Sequence, residues 1–444
     1  MTTKKKISVV SLGCSKNLVD TENMMGLLNE HGFEITADER EADVLLVNTC
    51  GFIESAKEES IQTILQLAKN KENRDCKLVV AGCLAQRYKD ELMKEMPEID
   101  ALIGTGEITR IVEVVQQALS GKRVNSVGRP EWEVKEHLPR IISNPGESVY
   151  VKIADGCNNR CSYCAIPYIR GSYRSKPMEI IEQEVQKLVR EGAKEVVLVA
   201  QDTTRYGYDL YGEYLLAKLL RRLTKIPALK WLRVMYCYPV YFTDELINTM
   251  ARESKICKYV DLPLQHAADK ILKKMHRRGS VLEIKNLIAK LRAAIPNITL
   301  RTSFIVGFPG ETEEDFQQLL NFMEEIKFDR VGIFKYSAEE GTPAAGMEDQ
   351  IDEAIKEERY HRAMKLQQRI SLEKNEQKIG QIIEVLTEGE LAEEPGTYVG
   401  RSQADAPEVD GLIYFKAGKL VHPGEIVEVK VTKASEYDLM GVLK

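Results

Sequence analysis

The stretch Gly156-Cys157-Asn158-Asn159-Arg160-Cys161-Ser162-Tyr163-Cys164 decides how this chain folds and what it binds. Its three thiols are spaced C-x3-C-x2-C, so their thiolates can ligate three corners of a four-iron cluster and leave one iron open. A centre that only carries electrons is closed by four cysteines, whereas an open metal position can bind a substrate or cofactor directly. A structural zinc site is the alternative, although zinc ligands usually come as paired C-x2-C units.

The residues around this stretch indicate which class of iron–sulfur protein it belongs to. A strand-like segment, 149–154, directly precedes it, and the aromatic Tyr163 stands before the last cysteine. With the cysteine spacing, these features resemble the radical S-adenosylmethionine (SAM) superfamily. The resemblance implies that a cluster on Cys157, Cys161 and Cys164 binds SAM through its open iron.

The first part of the chain alternates strands and helices. Apolar, β-branched runs at 7–12, 43–48 and 77–81 predict buried parallel strands, with helical patterns at 20–31, 54–70 and 86–95. Cys14, Cys50 and Cys83 each follow one of these strands. Because the carboxyl ends of parallel strands meet at one sheet edge, the pattern predicts a second three-thiol site. The alternative is three small, buried, apolar cysteines.

The middle of the chain repeats strand then helix. Candidate strands are at 150–154, 195–200, 231–236, 259–263, 300–307 and 331–336. Helical patterns lie at 179–191, 213–224, 243–253, 281–293 and 312–326. Six such units predict an open, partial (β/α)6 barrel.

The last part of the chain differs from the rest in its sequence pattern. The charged segment 349–378 predicts a solvated helical linker, and the glycine-punctuated strands after Gly380 predict a small all-β barrel. The predicted fold class is therefore α/β, with an N-terminal open parallel sheet, a central partial barrel and a C-terminal β-barrel. The predicted domains are 1–130, 143–375 (barrel plus helical linker) and 377–444.

Composition limits the class of protein. The 444 residues include nine cysteines and carry a formal net charge of −6. No apolar run approaches the ~18 residues of a membrane span, and the start of the chain lacks a signal-peptide core, so we expect a cytoplasmic protein without a membrane partner. Reduced thiols are the rule in that compartment, so clustered cysteines indicate metal. The acidic balance argues against a dominant nucleic-acid surface, although a local basic groove is compatible with it.

Three further motifs carry a closer resemblance. They are Ser11-Leu12-Gly13-Cys14-Ser15-Lys16-Asn17-Leu18-Val19-Asp20, Asn48-Thr49-Cys50-Gly51-Phe52-Ile53 and Gly82-Cys83-Leu84-Ala85-Gln86-Arg87-Tyr88. They look like the N-terminal domain of the methylthiotransferase family, whose members add a radical SAM core and a terminal TRAM domain. The resemblance covers essentially the whole chain. Ser15 replaces an expected proline and Lys176 an expected arginine, without affecting a ligand.

The family resemblance implies two 4Fe-4S clusters and SAM as cofactors. An unactivated aliphatic C–H bond offers no acidity to a general base, so the reaction needs hydrogen-atom abstraction. In such enzymes reductive cleavage of SAM releases a 5′-deoxyadenosyl radical. A second cluster, here on Cys14, Cys50 and Cys83, would hold sulfur, accept a methyl group from another SAM and deliver the methylthio unit.

Six residues are candidates for holding SAM. Tyr163, Ile305, Val306 and Gly307 look like the adenine side, and Gln201 and Arg174 are candidates for polar contacts. The turn that Gly307 begins is also explained by simple turn chemistry. No residue is assigned as a catalytic acid or base.

The remaining question is the substrate. The motifs at 156–167, 201–207 and 261–266 look most like the branch that modifies the β-carbon of an aspartate in a ribosomal protein of the small-subunit decoding centre. A sister branch modifies adenosine in tRNA. Residues 380–444 carry twelve acidic and six basic side chains, a net charge of −6. This sign suits a basic protein substrate better than RNA, unless the acids are only a solvated face.

Other partners follow from the same resemblance. We expect an electron donor such as a flavodoxin, and a monomeric enzyme. A non-enzymatic iron–sulfur carrier is the remaining alternative, and it would leave SAM intact.

Overall fold

The computed structural model describes residues 4–71, 74–131, 137–143 and 146–444. The chain divides into two compact units. The first comprises residues 1–145, 154–180 and 337–345, and the second comprises 146–153, 181–336 and 346–444. The segment with Cys157, Cys161 and Cys164 thus belongs to the N-terminal unit. The division into three domains at 1–130, 143–375 and 377–444 stays a prediction.

The first unit is built on a six-stranded sheet whose neighbouring strands are all parallel. In sheet order the strands are Glu34–Thr36, Lys6–Ser11, Val44–Thr49, Lys77–Gly82, Ala101–Ile103 and Val124–Ser126. The predicted open parallel sheet is confirmed. The three-residue strands were not predicted, because they are too short to show a hydrophobic pattern.

Apolar side chains cover both faces of this sheet. Along one strand, Val44 and Leu46 pack into the core cluster that also contains Met24. The alternate residues Leu45 and Val47 pack into the opposite cluster. Because neighbouring strand residues point to opposite faces, this partition requires helices on both sides of the sheet.

The helices of the first unit pack on the sheet, except for Ile166–Arg170, which packs beside Cys83. They are Ser15–Glu30, Glu54–Lys71, Cys83–Arg87, Lys89–Glu95, Ile111–Leu119 and Ile166–Arg170. The single helix predicted at 86–95 is wrong, because the backbone leaves helical geometry at Tyr88 and separates two short helices. The helix predicted at 20–31 begins at Ser15, because its first turns bury polar residues that hide the apolar stripe.

The second unit contains six strands that are parallel within two three-stranded sheets. In chain order they are Ser148–Lys152, Glu195–Val199 and Trp231–Val234, then Tyr259–Gln265, Thr299–Val306 and Arg330–Lys335. Hydrogen bonds join the two sheets, since Cys237 N donates to Asp261 O (2.9 Å) and Tyr236 N donates to Asp261 Oδ2 (2.9 Å). The six predicted strands are all present.

Helices follow these strands. They are Met178–Arg190, Tyr208–Tyr211, Leu216–Leu223, Asp244–Arg252, Asp269–Lys274, Val281–Ala294, Glu313–Ile326 and Glu353–Glu376. The charge pattern at 349–378 predicted a solvated helical linker. This prediction is wrong in one respect, because the helix Glu353–Glu376 buries one face that includes Ala363 and Ile370. Across the residues with described positions, no helix is both long and apolar enough to cross a membrane.

The C-terminal strands form a closed barrel, as predicted. In barrel order they are Ile382–Glu390, Thr397–Arg401, Ile413–Lys416, Leu439–Leu443 and Ile426–Ala434. Buried charges join this barrel to the strands of the same unit. Glu195 accepts a bond from Arg233 Nε (2.7 Å) and one from Arg401 Nη2 (3.0 Å), and all three side chains are buried.

Candidate metal centre

The C-x3-C-x2-C loop is closed at its base by a short ladder. Strand Ala154–Asp155 pairs antiparallel with Arg174–Ser175, and Cys157 N donates to Gly171 O at 3.1 Å. Gly156 has φ +77°, and a Cβ there would lie 2.1 Å from Ser172 O. The glycine before the first cysteine is therefore required by the backbone.

Within the loop the three thiols differ in exposure. Cys161 is buried, whereas Cys157 and Cys164 are partly exposed. Cys164 N donates to Cys161 O at 3.1 Å, and Asn159 N lies 3.5 Å from Cys157 Sγ. Backbone groups thus hold the loop in a turn and place a donor near one sulfur, as in clusters whose sulfurs accept hydrogen bonds.

The other three cysteines follow three neighbouring strands of the first unit's sheet. Cys14 and Cys50 come shortly after Lys6–Ser11 and Val44–Thr49, and Cys83 comes directly after Lys77–Gly82. Two of them also begin helices, since Cys14 is the cap of Ser15–Glu30 and Cys83 is the first residue of Cys83–Arg87. The parallel sheet accordingly places all three at its carboxyl edge.

Glycines allow these cysteine loops to touch. Gly13 has φ +87°, and a Cβ there would lie 2.7 Å from Cys50 Cβ and 3.1 Å from Cys50 Sγ. A Cβ at Gly51 would lie 2.8 Å from Leu84 Cα and 3.0 Å from the carbonyl carbon of Cys83. The contacts connect the loop of Cys14 to Cys50 and the loop of Cys50 to Cys83.

The electrostatic surroundings of the three thiols are unequal. Loss of solvent opposes ionisation of Cys14, but Lys16, Arg170 and backbone N–H groups outweigh it and lower its pKa. Burial, opposed by N–H groups and aided by the neighbouring Cys14, raises the pKa of Cys50. Burial raises the pKa of Cys83 to about 12, although Arg170 opposes the shift. A metal binds these thiols only as thiolates, so metal binding has to supply the extra free energy that ionising the buried Cys50 and Cys83 costs.

A buried polar network supports this edge of the sheet. Asn17 Nδ2 donates to Leu12 O (3.0 Å) and Thr49 O (2.9 Å), and Asn17 Oδ1 accepts from Arg170 Nη2 (2.8 Å). Asn48 Nδ2 donates in turn to Asn17 O at 2.9 Å. Neither Asn17 nor Arg170 was predicted to belong to the site; the only signal for Asn17 was a polar residue on the buried face of a helix.

The six candidate ligands are all free thiols. Among the described residues, no group of three or more His, Cys, Asp or Glu side chains is placed to hold a single metal ion. A four-iron cluster makes a different demand, because its thiolates bind separate irons at separate corners. The soft donors, the glycine-backed approach and the nearby cation all fit such a cluster.

The six candidate SAM residues lie in different units. Tyr163 and Arg174 belong to the first unit, and Gln201, Ile305, Val306 and Gly307 belong to the second. Tyr163 is half-buried, while Arg174 donates from Nη1 to Ser172 O (2.6 Å) and from Nη2 to Arg170 O (3.1 Å). Their assignment to SAM stays a prediction.

At the end of strand Thr299–Val306 the two predicted apolar residues face opposite ways. Val306 is completely buried, whereas Ile305 is partly exposed. Glu311 Oε2 accepts bonds from Gly307 N (2.9 Å) and Phe308 N (3.3 Å), and Arg359 Nη1 donates to Glu311 Oε1 (2.8 Å). Ile305 is therefore the side chain available to a ligand, and Glu311 fixes the turn beside it.

Three family models match the chain in order. An uncharacterised family, UPF0004, matches residues 6–104, the radical SAM superfamily matches 151–323, and the TRAM domain matches 379–443. Fold and site together define the class as a radical SAM protein with an N-terminal UPF0004 domain and a C-terminal TRAM barrel.

Curated relatives identify the family within that class. The chain is 58% identical over 439 residues to the ribosomal protein uS12 methylthiotransferase RimO of Desulforamulus reducens, covering 98% of this chain and 99% of the relative. It is 55% identical over 437 residues to the RimO of Pelotomaculum thermopropionicum, covering 98% of each. The chain belongs to the RimO family of methylthiotransferases, which uses SAM and two [4Fe–4S] clusters.

A solved structure shares the fold. The radical SAM methyltransferase TsrM from Kitasatospora setae, solved with cobalamin and a [4Fe–4S] cluster, aligns with a TM-score of 0.56 and 15% identity. The alignment covers 89% of this chain and 77% of that one. At this identity the likeness supports the fold alone.

Proposed function

We propose that this chain adds a methylthio group to the β-carbon of an aspartate in uS12, the small-subunit ribosomal protein of the decoding centre. In this proposal Cys157, Cys161 and Cys164 hold one cluster and Cys14, Cys50 and Cys83 hold the other. The observation that carries it is the contact between the loops of Cys14, Cys50 and Cys83, which come from three neighbouring strands. Family membership supports the same chemistry.

The protein's own residues orient and shield the reacting groups. When bound, the two clusters and SAM supply reductive cleavage, hydrogen-atom abstraction and the sulfur for transfer. Burial of Cys161 and Cys83 keeps water from one side of each cysteine group. Within the second unit, the turn at Gly307, held by Glu311, would seat the adenine against Ile305. Tyr163, Arg174, Gln201 and Val306 stay proposed SAM residues on the family resemblance. Exclusion of water prevents a reactive radical from being lost to side reactions.

The charge of the barrel supports a basic protein substrate. Asp405 and Arg401 are buried, the former bonded to Arg330 and the latter to Glu195, so neither faces a partner. The exposed acidic residues of the barrel are nine glutamates, against five exposed lysines. The glutamates are Glu384, Glu388, Glu390, Glu393, Glu394, Glu408, Glu425, Glu428 and Glu436. The exposed surface is therefore still acidic and would steer a basic protein towards the enzyme.

We propose that the enzyme works in the cytoplasm as a monomer, without a membrane partner, and that a flavodoxin-like donor provides electrons. Sedimentation of the cluster-loaded protein tests the monomer, and a single species at the mass of one chain is the expected result.

Mass spectrometry of candidate substrates tests the reaction. The reduced, cluster-loaded protein is incubated with SAM and with free uS12, intact small subunits or unmodified tRNA. A methylthio increment on an aspartate of uS12 supports the proposal, and the first two arms distinguish free from assembled substrate. An increment only on tRNA adenosine would contradict it, and intact SAM in every arm would indicate an iron–sulfur carrier.

Cysteine variants test the two ligand sets. Replacing Cys157, Cys161 and Cys164 with Ala should remove about half of the iron and all SAM cleavage. Replacing Cys14, Cys50 and Cys83 with Ala should also remove about half of the iron, but should spare cleavage and abolish methylthiolation. Cys76→Ala is the matched control, because this buried thiol lies outside both groups. Methylthiolation by the second triple variant would refute the second ligand set.

A further inference from the structure

Arg170 connects the two groups of cysteines within the first unit. It ends the helix Ile166–Arg170 that follows Cys164, and its side chain is 2% exposed. Although Arg170 belongs to the segment of the first cysteine group, its Nη2 lies 3.7 Å from Cys83 Sγ of the second. A buried cation therefore lies against one of the proposed ligands.

The other partners of Arg170 also come from both sides. Nη1 donates to Asp20 Oδ2 (2.9 Å) and to Asp155 Oδ1 (3.2 Å) and Oδ2 (3.1 Å). Asp155 directly precedes Gly156 and the first cysteine group, whereas Asp20 lies on the helix that Cys14 caps. The planar guanidinium, with five N–H donors in a fixed fork, can serve all these acceptors at once, which a lysine cannot.

The two guanidinium nitrogens have different kinds of partner. Nη1 makes the ion pairs with both carboxylates, which compensate the cost of burying the charge. Nη2 instead faces the Asn17 amide oxygen and the Cys83 sulfur. Hydrogen bonds to cluster sulfurs and nearby positive charge both favour the reduced state of an iron–sulfur cluster, because they stabilise the added electron.

We propose that Arg170 is a positioning residue that donates to the Cys83 sulfur and raises the reduction potential of the cluster on Cys14, Cys50 and Cys83. Asp155 and Asp20 hold the guanidinium in place from the two cysteine-bearing segments. The inference rests on the proposed function, because it requires a cluster on those three thiols.

Redox titration of the second cluster alone tests this role. The parent is the full chain with Cys157, Cys161 and Cys164 replaced by Ala. Its iron and sulfide contents are determined chemically, and its midpoint potential is measured by a redox titration followed by electron paramagnetic resonance. Arg170→Gln and Arg170→Lys are compared with it. Arg140→Gln is the matched control, because Arg140 is a buried arginine that bonds Glu22 (2.6 Å) on the same helix as Asp20.

We expect a lower midpoint potential for Arg170→Gln, an intermediate value for Arg170→Lys and the parent value for Arg140→Gln. If Arg170→Gln does not retain iron, Arg170→Lys decides, and a potential below the parent supports the inference. Parent values for both Arg170 variants, or an equal shift in Arg140→Gln, would overturn it. A parent that binds no iron would instead refute the proposed second ligand set itself.

Discussion

Substitution of Gly13 by alanine should selectively disturb the second cysteine group. Gly13 has φ +87°, and its new Cβ would lie 2.7 Å from Cys50 Cβ. Gly32 provides a matched control, because it has φ +89° in the same unit but no atom within 4 Å of the built Cβ. The two substitutions share the backbone strain and differ in the contact with Cys50.

The expected losses in unfolding free energy follow from the backbone strain and from the contact with Cys50. A left-handed conformation costs an L-residue about 1–2 kcal/mol, so Gly32→Ala should destabilise the unit by that amount. Gly13→Ala adds overpacking against Cys50, for which ~1–3 kcal/mol is typical. The added Cβ also pushes Cys50 away from the loop of Cys14, so we expect loss of iron from the second group only with Gly13→Ala.

Two measurements check this prediction in the variant that lacks Cys157, Cys161 and Cys164. Hydrogen exchange of the strand Val44–Thr49 reports the free energy of opening next to Cys50. Iron content reports whether the cluster still binds. Equal iron content and equal protection in the Gly13→Ala and Gly32→Ala proteins would refute the reasoning, because the contact with Cys50 would then have no effect.

Three further predictions concern the second unit. Glu195→Gln should cost about 3–5 kcal/mol in the free energy of unfolding, since it leaves buried arginines without their carboxylate. Burial opposes ionisation of Glu195, but Arg233 and Arg401 outweigh it and keep the pKa of Glu195 below the ordinary 4.5. The stabilisation from this carboxylate is therefore present above pH 4.5 and is lost as the pH falls through the lowered pKa. Denaturation at pH 7 and pH 3.5 should show that the difference in unfolding free energy between the wild type and the variant is smaller at the lower pH. Glu311→Gln should weaken SAM binding in equilibrium dialysis by loosening the turn at Gly307, and unchanged affinity would contradict the adenine-side assignment. Glu393→Lys with Glu394→Lys should slow association with uS12 at low salt, as measured by stopped-flow binding. The pair Glu58→Lys with Glu59→Lys, which is also exposed and changes the charge by the same amount, should not slow it.

Much of the fold could be predicted from the hydrophobic pattern and from the glycines that separate the C-terminal strands. The long buried strands Val44–Thr49 and Lys77–Gly82 have continuous apolar runs, and the open sheet, the six central strands and the terminal barrel were all expected. Strand Glu34–Thr36 was not predicted, because three residues are too few to show a hydrophobic period. The helix Glu353–Glu376 was misjudged as a solvated linker because charged residues such as Arg359 lie on its buried face, where ion pairs compensate them.

The candidate site was predictable to a lesser extent. Cysteine spacing and strand ends indicated which thiols to group, because both are local in sequence. The cation beside Cys83 was not predictable, since Arg170 reaches it across more than eighty positions of the chain and its partner Asn17 is farther still. Such contacts depend on how the loop 156–173 folds back, which no periodicity records.

The membership of residues 154–180 in the N-terminal unit has an evolutionary consequence. A recombination event near residue 145 would separate Asn17 and Asp20 from Arg170 and leave a buried guanidinium among foreign side chains, at a cost of about 3–5 kcal/mol. Selection should therefore remove most such hybrids. We expect Asn17, Asp20, Asp155 and Arg170 to be inherited together across the family. The segments that carry the two groups of cysteines would then evolve as one unit.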